Sequence, residues 1–117
     1  MEVEVREGAQ VSRKKDIREM ANLVGNSAAH VALYPDQGLV EKEVVVYVTF
    51  ASEVAARRTW NDLEMSEFRK AARRRAESEI RRRTTEEGLD RKAFEGLVPT
   101  AERYIDEFIE REMRRKK

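Results

Sequence analysis

The stretch "EVVVYVTF", from Glu43 to Phe50, decides the fold of this chain, because it can be interpreted in two ways. Its β-branched residues are typical of a buried strand. The chain offers only one strand partner, the short "EVEV" from Glu2 to Val5, and an isolated two-stranded pair is marginal in water. A helix is therefore the favoured interpretation, and the alternative is an α+β fold with a small sheet formed by residues 2–5 and 43–50.

As a helix, the segment from Val40 to Ala55 would carry apolar side chains on every side. One face would consist of Val40, Val44, Tyr47, Val48, Ala51, Val54 and Ala55. Val45, Val46 and Phe50 would point in other directions. A helix that is apolar all round has to be surrounded, so this one is expected in the middle of a bundle or in a subunit interface. The sequence favours the central place, with Val45, Val46 and Phe50 as candidate interface residues of a homodimer.

Helical periodicity also marks the region before this segment. Apolar residues spaced three and four apart predict one helix over about Arg13–Leu33. They are Ile17, Met20, Ala21, Val24, Ala28 and Val31. Ser12 can cap the start of this helix through its hydroxyl, and "YPDQG", residues 34–38, is expected to end it.

The segment "TWNDLEM", from Thr59 to Met65, carries the clearest helix-start signal. Asn61 can cap the helix while Glu64 reaches back to the Asn61 amide, and Trp60 can pack on Met65 as a hydrophobic staple. This third helix is predicted to run to Glu87, where Gly88 supplies a left-handed stop.

The last part of the chain predicts two further helices. Asp90 can cap a short helix through Leu97, and Pro99 suits the first turn of the final helix. The chain is therefore predicted to be a single all-α domain over residues 1–117, with four main helices and one short helix in a compact bundle.

Composition limits the environment and the size of the core. A chain of 117 residues buries roughly two thirds of its unfolded surface, which suffices for one core. Charged residues make up 40% of the chain and nearly cancel to a net charge of +1. Cysteine is absent, and neither a targeting signal nor a membrane-spanning apolar run is visible. We therefore expect a cytoplasmic protein without membrane contact. Scarce amides beside abundant Glu, Arg and Lys predict a thermophilic source.

The most basic stretch is "FRKAARRRAESEIRRR", from Phe68 to Arg83. On a helix, Glu77 can pair with Arg81 and Glu79 with Arg83. The bases left over are mainly Lys70, Arg74 and Arg82, and with Arg81 close by they form a short ridge that could contact nucleic acid. Duplex binding typically uses about six to ten phosphate contacts, and single-strand binders add stacking aromatic residues. A solvated ion-pair face is therefore favoured over a nucleic-acid site.

No residue pattern predicts catalysis. His30 is the only histidine and has no second base, nucleophile or metal ligand beside it in the sequence. Phosphate loops, the "GXSXG" elbow and "HEXXH" are absent. We therefore expect no enzyme activity, no cofactor and no metal site.

Two segments carry a resemblance: "VYVTFASEVAARRTWNDLE", residues 46–64, and "AERYIDEFIERE", residues 101–112. With these segments and its composition, the chain resembles the small uncharacterised helical proteins of hyperthermophilic archaea, and this resemblance implies no activity and no site. The sequence predicts a non-enzymatic structural or protein-interaction module that forms a homo-oligomer, its protein partner being unknown. The alternative is an accessory nucleic-acid-binding protein that uses the basic ridge.

Overall fold

The computed structural model describes residues 2–35, 42–86, 88 and 91–114, with side chains for all of these except 2–11, 42, 43, 91 and 93. The described residues form four α-helices and a final π-helical turn and contain no strand. The helices are α1 (Glu2–Leu33), α2 (Lys42–Ala56), α3 (Asp62–Glu86) and α4 (Arg91–Phe108), and the π turn is Ile109–Met113. The all-α prediction is confirmed. The α+β alternative is wrong, because both proposed strand segments are helical.

Helix α1 is the centre of the bundle. It packs against α2, α3 and α4, whereas α2, within the described residues, packs only against α1 and the π turn. The prediction that Val40–Ala55 occupies the centre is therefore wrong, and Val40 itself lies outside the described residues. One side of α2 suffices to cover α1, so the apolar side chains on its other side are left at the surface.

Contacts between side chains fix the helix directions. Arg13 of α1 pairs with Glu64 at the start of α3, and Asn26 further along α1 accepts a hydrogen bond from Arg75, so α1 and α3 run parallel. Arg69 pairs with Asp106, and Arg81 lies over the ring of Phe94, so α4 runs antiparallel to α3.

Helix α1 is longer than predicted. It begins at Glu2 rather than near Arg13, so Ser12 lies inside the helix and does not cap it. Its 32 residues correspond to about 48 Å, which accounts for most of the 55 Å long dimension of the molecule. The predicted end is confirmed, since α1 stops at Leu33 and the Tyr34 amide donates to the His30 carbonyl at 2.9 Å. Residues 36–38 of the predicted stop lie outside the described residues.

Small residues let α1 and α3 approach closely. Gly25 faces Ala72 and Arg75, and a Cβ atom added at position 25 would lie 2.7 Å from the Ala72 carbonyl oxygen. Several buried alanines line the two helices, namely Ala21, Ala28, Ala29 and Ala32 on α1 and Ala72 and Ala76 on α3. The alanine-rich side of α3 is thus the surface that receives α1.

Large side chains fill the space between the helices. The rings of Phe68 on α3 and Phe108 on α4 lie 5.5 Å apart between centroids and are fully buried. Met20 from α1 and Ile80 and Ile105 from α3 and α4 are also fully buried. This single cluster spans all four helices, and each such side chain contributes several kcal/mol by burial and packing.

The predicted start of α3 is confirmed in detail. The Glu64 amide donates to the Asn61 side-chain oxygen at 2.7 Å, and the Asn61 amide donates to the Glu64 carboxylate at 3.0 Å. This reciprocal pair is a capping box. Trp60 and Met65 both belong to the buried cluster, and the Trp60 indole donates to the Ala55 carbonyl at 2.9 Å.

Glu64 also joins α3 to α1. Its two carboxylate oxygens accept hydrogen bonds from the Arg13 guanidinium at 2.6 and 2.7 Å. The side chain is mostly buried, and these bonds from Arg13 hold the pKa of the Glu64 carboxyl below its ordinary value. A depressed pKa in the folded state means that the ionised carboxylate stabilises the fold above about pH 4.3, the ordinary glutamate value.

Replacement Glu64→Gln is expected to lower the free energy of unfolding by about 1–2 kcal/mol at neutral pH. A glutamine oxygen can still accept from Asn61, but the charge-assisted pair with Arg13 is lost. The difference between native chain and variant should shrink as the pH falls below about 4 and the native carboxyl takes up a proton. Urea unfolding at pH 7 and pH 3 measures this difference in the free energy of unfolding. A difference that is the same at both pH values would contradict the role of the charge.

The last predicted helix boundary is wrong. The predicted short helix and the final helix form one continuous α4, with Pro99 inside it. A proline inside a helix removes one backbone donor and crowds the carbonyl four residues before it. Pro99 itself is exposed, and the apolar stripe of the helix continues across it. The stripe consists of Phe94, Leu97, Ala101, Ile105 and Phe108. The left-handed stop after α3 is confirmed by the φ of +73° at Gly88, whereas Glu87 and Asp90 lie outside the described residues.

Candidate functional site

The outward face of α2 exposes a group of apolar side chains. Val45, Val46 and Phe50 are 51%, 39% and 54% exposed. The other side of the helix is buried through Val44, Ala51, Val54 and Ala55. The structure therefore places the three predicted interface residues on one broad face, with Phe50 one turn beyond Val46. The fold of a single copy leaves them uncovered by described residues.

Thr49 completes this apolar face. It is exposed between the valines and Phe50, and its hydroxyl donates to the Val45 carbonyl of the same helix at 2.7 Å. Because the only side-chain donor on this part of the face is already satisfied, covering it would leave no donor without a partner. We call Val45, Val46, Thr49 and Phe50 the α2 patch.

The α2 patch lacks charge in a chain that is otherwise rich in it. The nine residues from Val44 to Ser52 include no charged residue, although 40% of the chain is charged. The next exposed residue along the same face is Glu53. Five of these nine residues, Val44, Val45, Val46, Val48 and Thr49, are β-branched and therefore disfavour a helix slightly. The preference of these residues for a helix therefore does not explain their presence. Burial in a single copy does not explain the exposed ones, Val45, Val46 and Thr49, either.

The predicted basic ridge is only partly present on α3. Lys70, Arg74 and Arg81 share its outward side, within about 40° of one another at 100° per residue. Arg82 lies about 100° away and pairs with Glu79 at 3.1 Å and with Glu86 at 3.0 Å. The placement of Arg82 among the unpaired bases is therefore wrong.

The acids beside the ridge, Glu77 and Glu79, form ion pairs with other residues than predicted. Glu77 pairs with Arg73 at 3.0 Å, and Glu79 pairs with Arg82. Arg73 also reaches Glu102 on α4 at 2.8 Å. Arg73 thus lies between acids of two helices, whereas both acids that pair with Arg82 belong to α3. In the part of the chain that the structure describes, Lys70 and Arg74 have no ion-pair partner.

A polar cluster that the sequence did not predict joins α1 to the end of α2. The Asp16 carboxylate is buried and pairs with Arg58 at 2.7 Å and with Arg57 at 3.3 Å. Arg58 and Arg13 also lie near the Trp60 ring, at 5.9 and 5.5 Å from its centroid. A signal was present in the sequence, since Asp16 stands four residues before Met20 on the buried side of α1.

His30 lies near the end of α1, where its ring centroid is 5.1 Å from that of Tyr34. Within the described residues, no group of three or more histidine, cysteine, aspartate or glutamate residues could hold a metal ion. Among these same residues, no helix combines the length and apolar character needed to cross a membrane.

The α2 patch is thus the feature of the described surface that the fold itself does not account for. Comparisons with known proteins add no assignment to it. No family model matches the chain, and no significant match was found among curated proteins or among solved structures.

Proposed function

We propose that the chain is a non-enzymatic structural or protein-interaction module that forms a homodimer through the α2 patch. The observation that carries this proposal is the exposure of Val45, Val46 and Phe50 on one helix face. Contiguous exposed apolar groups on a soluble domain usually mark a binding surface. The non-enzymatic part of the proposal rests on the sequence, which contains no phosphate loop, no "GXSXG" elbow and no "HEXXH" pair.

A second copy of the chain is the occupant that the patch fits best. The patch is uncharged and the chain has a net charge of only +1, so two copies do not repel each other strongly. A symmetric interface uses the same surface twice, so one small patch buries twice its own area. Thr49 adds to this fit because its hydroxyl needs no partner from the other copy.

The size of the patch sets the expected affinity. A standard interface buries about 800 Å² on each partner, and four side chains of one helix cover less than that. Binding also costs several kcal/mol of lost rigid-body freedom. We therefore expect a dissociation constant in the micromolar range, with Glu53 and the neighbouring polar residues forming the rim.

Substitution of the patch by charge is expected to produce a monomer. Val46→Glu and Phe50→Glu should each raise the dimer dissociation constant at least about 100-fold, because the symmetric interface would bury the new carboxylate twice. Light scattering coupled to size exclusion measures the mass over a micromolar concentration series, in which the native chain should approach twice 13.7 kDa.

The matched control is Leu63→Glu. Leu63 is 68% exposed, more than Val45, Val46 or Phe50, but it lies on α3, which does not contact α2 within the described residues. This variant should remain dimeric. A native chain that stays monomeric at the highest concentration, or an equal loss of dimer in Leu63→Glu, would contradict the proposal.

The alternative, an accessory nucleic-acid binder, has less support. Its ridge is reduced to Lys70, Arg74 and Arg81, since Arg82 pairs with two acids. Three cations fall below the roughly six to ten phosphate contacts of typical duplex binding. Arg81 of the ridge lies over the half-buried ring of Phe94, 5.1 Å from its centroid, so this ring is not presented to a nucleic-acid base.

A further inference from the structure

We propose that the two copies pair their α2 helices antiparallel, about a twofold axis that passes beside the helix between Tyr47 and Val48. This inference rests on the proposed dimer and adds its orientation. Each Phe50 then packs near Val46 of the partner subunit, and Thr49 lies close to the axis.

The position of the axis follows from the extent of the patch. The exposed patch residues run from Val45 to Phe50, so their midpoint lies between positions 47 and 48. An antiparallel pair centred there sets position 46 opposite positions 49 and 50 of the other copy, and both patches are covered completely. Shifting the centre by one turn would leave either Val45 or Phe50 without an apolar partner.

The orientation follows from Glu53. Glu53 is exposed on the same face as the patch, about one and a half turns beyond its middle. A parallel pair would set Glu53 beside the identical carboxylate of the partner subunit, where like charges repel each other. In the antiparallel pair the two Glu53 residues are separated by about 16 Å along the direction of the helix axes, at 1.5 Å per residue.

Two further properties of α2 favour the same arrangement. Antiparallel helices place opposite ends of their dipoles side by side, whereas parallel helices place like ends together. The residues near the axis, Val46 and Thr49, are no larger than valine, which allows the two helices to approach to about 8–9 Å. Phe50 then fills the space on either side of the axis.

Cysteine scanning tests the orientation directly, because the chain contains no cysteine of its own. A disulfide requires Cα atoms within about 7 Å. In the antiparallel pair, Thr49→Cys should form a disulfide-linked dimer under mild oxidation, because residue 49 lies close to the axis. Glu53→Cys should not, because its two copies are too far apart. Ser78→Cys, at an exposed position on α3, is the control for the rate at which disulfides form by random collision of two copies.

The expected result is that Thr49→Cys links at least about ten times faster than Glu53→Cys, which should link no faster than Ser78→Cys. Linking of Glu53→Cys as fast as Thr49→Cys would overturn the antiparallel orientation while leaving the α2 dimer standing. A dimeric native chain in which neither α2 variant links would overturn both the orientation and the use of this face. A monomeric native chain would overturn the proposed dimer itself, before any linking is measured.

Discussion

Truncation of Phe68 to alanine is expected to lower the free energy of unfolding by about 3–5 kcal/mol, the cost of removing a buried aromatic side chain. The ring is fully buried on α3 and packs against Phe108 of α4. Its removal takes away apolar burial and leaves a cavity where these two helices meet. A loss of this size is a large part of the roughly 5–15 kcal/mol by which domains are stable.

Urea unfolding followed by far-ultraviolet circular dichroism measures this loss, with the variant and native chain compared at one concentration. Phe50→Ala is the matched control, since it makes the same chemical change at a half-exposed position on α2. At concentrations where the chain is monomeric, the control should lose less than about 1 kcal/mol, as exposed substitutions usually do. Equal losses in the two variants would contradict the assignment of Phe68 to the core.

The second large effect is expected at Gly25. A Cβ atom at this position would lie 2.6 Å from the Arg75 Cβ and 2.7 Å from the Ala72 carbonyl oxygen. The Arg75 contact is close to the backbone and the Ala72 contact is with backbone itself, so neither can move without moving α3. Gly25→Leu should therefore force α1 and α3 apart and cost about 3 kcal/mol or more, at the upper end of overpacking.

The control for Gly25→Leu is the same substitution at Gly96. Gly96 lies inside α4, and a Cβ atom there would meet nothing within 4 Å. Gly96→Leu should gain about 0.5–1 kcal/mol, because glycine weakens a helix interior. Thermal and urea unfolding of both variants should thus move in opposite directions. A Gly25→Leu variant as stable as the native chain would show that α1 and α3 do not approach closely.

The sequence predicted the helices where local chemistry decides them. The capping box at Asn61 and Glu64 and the stop at Gly88 are satisfied by neighbours within a few residues. The helical state of Glu43–Phe50 followed from a different argument, the lack of a stable strand partner, because local preference alone favours a strand.

The prediction was wrong where tertiary packing overrides a local signal. Ser12 can cap a helix, and Pro99 suits a first turn, yet both lie inside longer helices. For Pro99, the reason is that the apolar stripe of α4 continues past it and is held by α1 and α3. The central place given to α2 was wrong for a similar reason, since the sequence of α2 does not show which helix has apolar neighbours on three sides.

In the candidate site, too, some features can be predicted from the local sequence and others depend on tertiary packing. Apolar excess on the sides of a helix can be read from its sequence, which is why the sequence predicts Val45, Val46 and Phe50 as interface residues. The ion-pair partner of a charged residue cannot be read from the sequence when it belongs to another helix, because it depends on which helices lie side by side. Arg73 of α3 reaches Glu102 of α4, and buried Asp16 pairs with Arg58 beyond the end of α2. Arg82 is different, because it pairs with two acids on its own helix at spacings of three and four residues, which the sequence does show.

The placement of Trp60 has a practical optical consequence. It is the only tryptophan of the chain, it is buried, and its indole donates to the backbone at the end of α2 beside Arg13 of α1. Its fluorescence emission therefore reports on the junction of three helices and should shift to longer wavelength when that junction opens to water. Because Val46 lies about 15 Å from that end of α2, self-association should leave the emission nearly unchanged, so the same spectrum separates loss of folding from loss of the dimer.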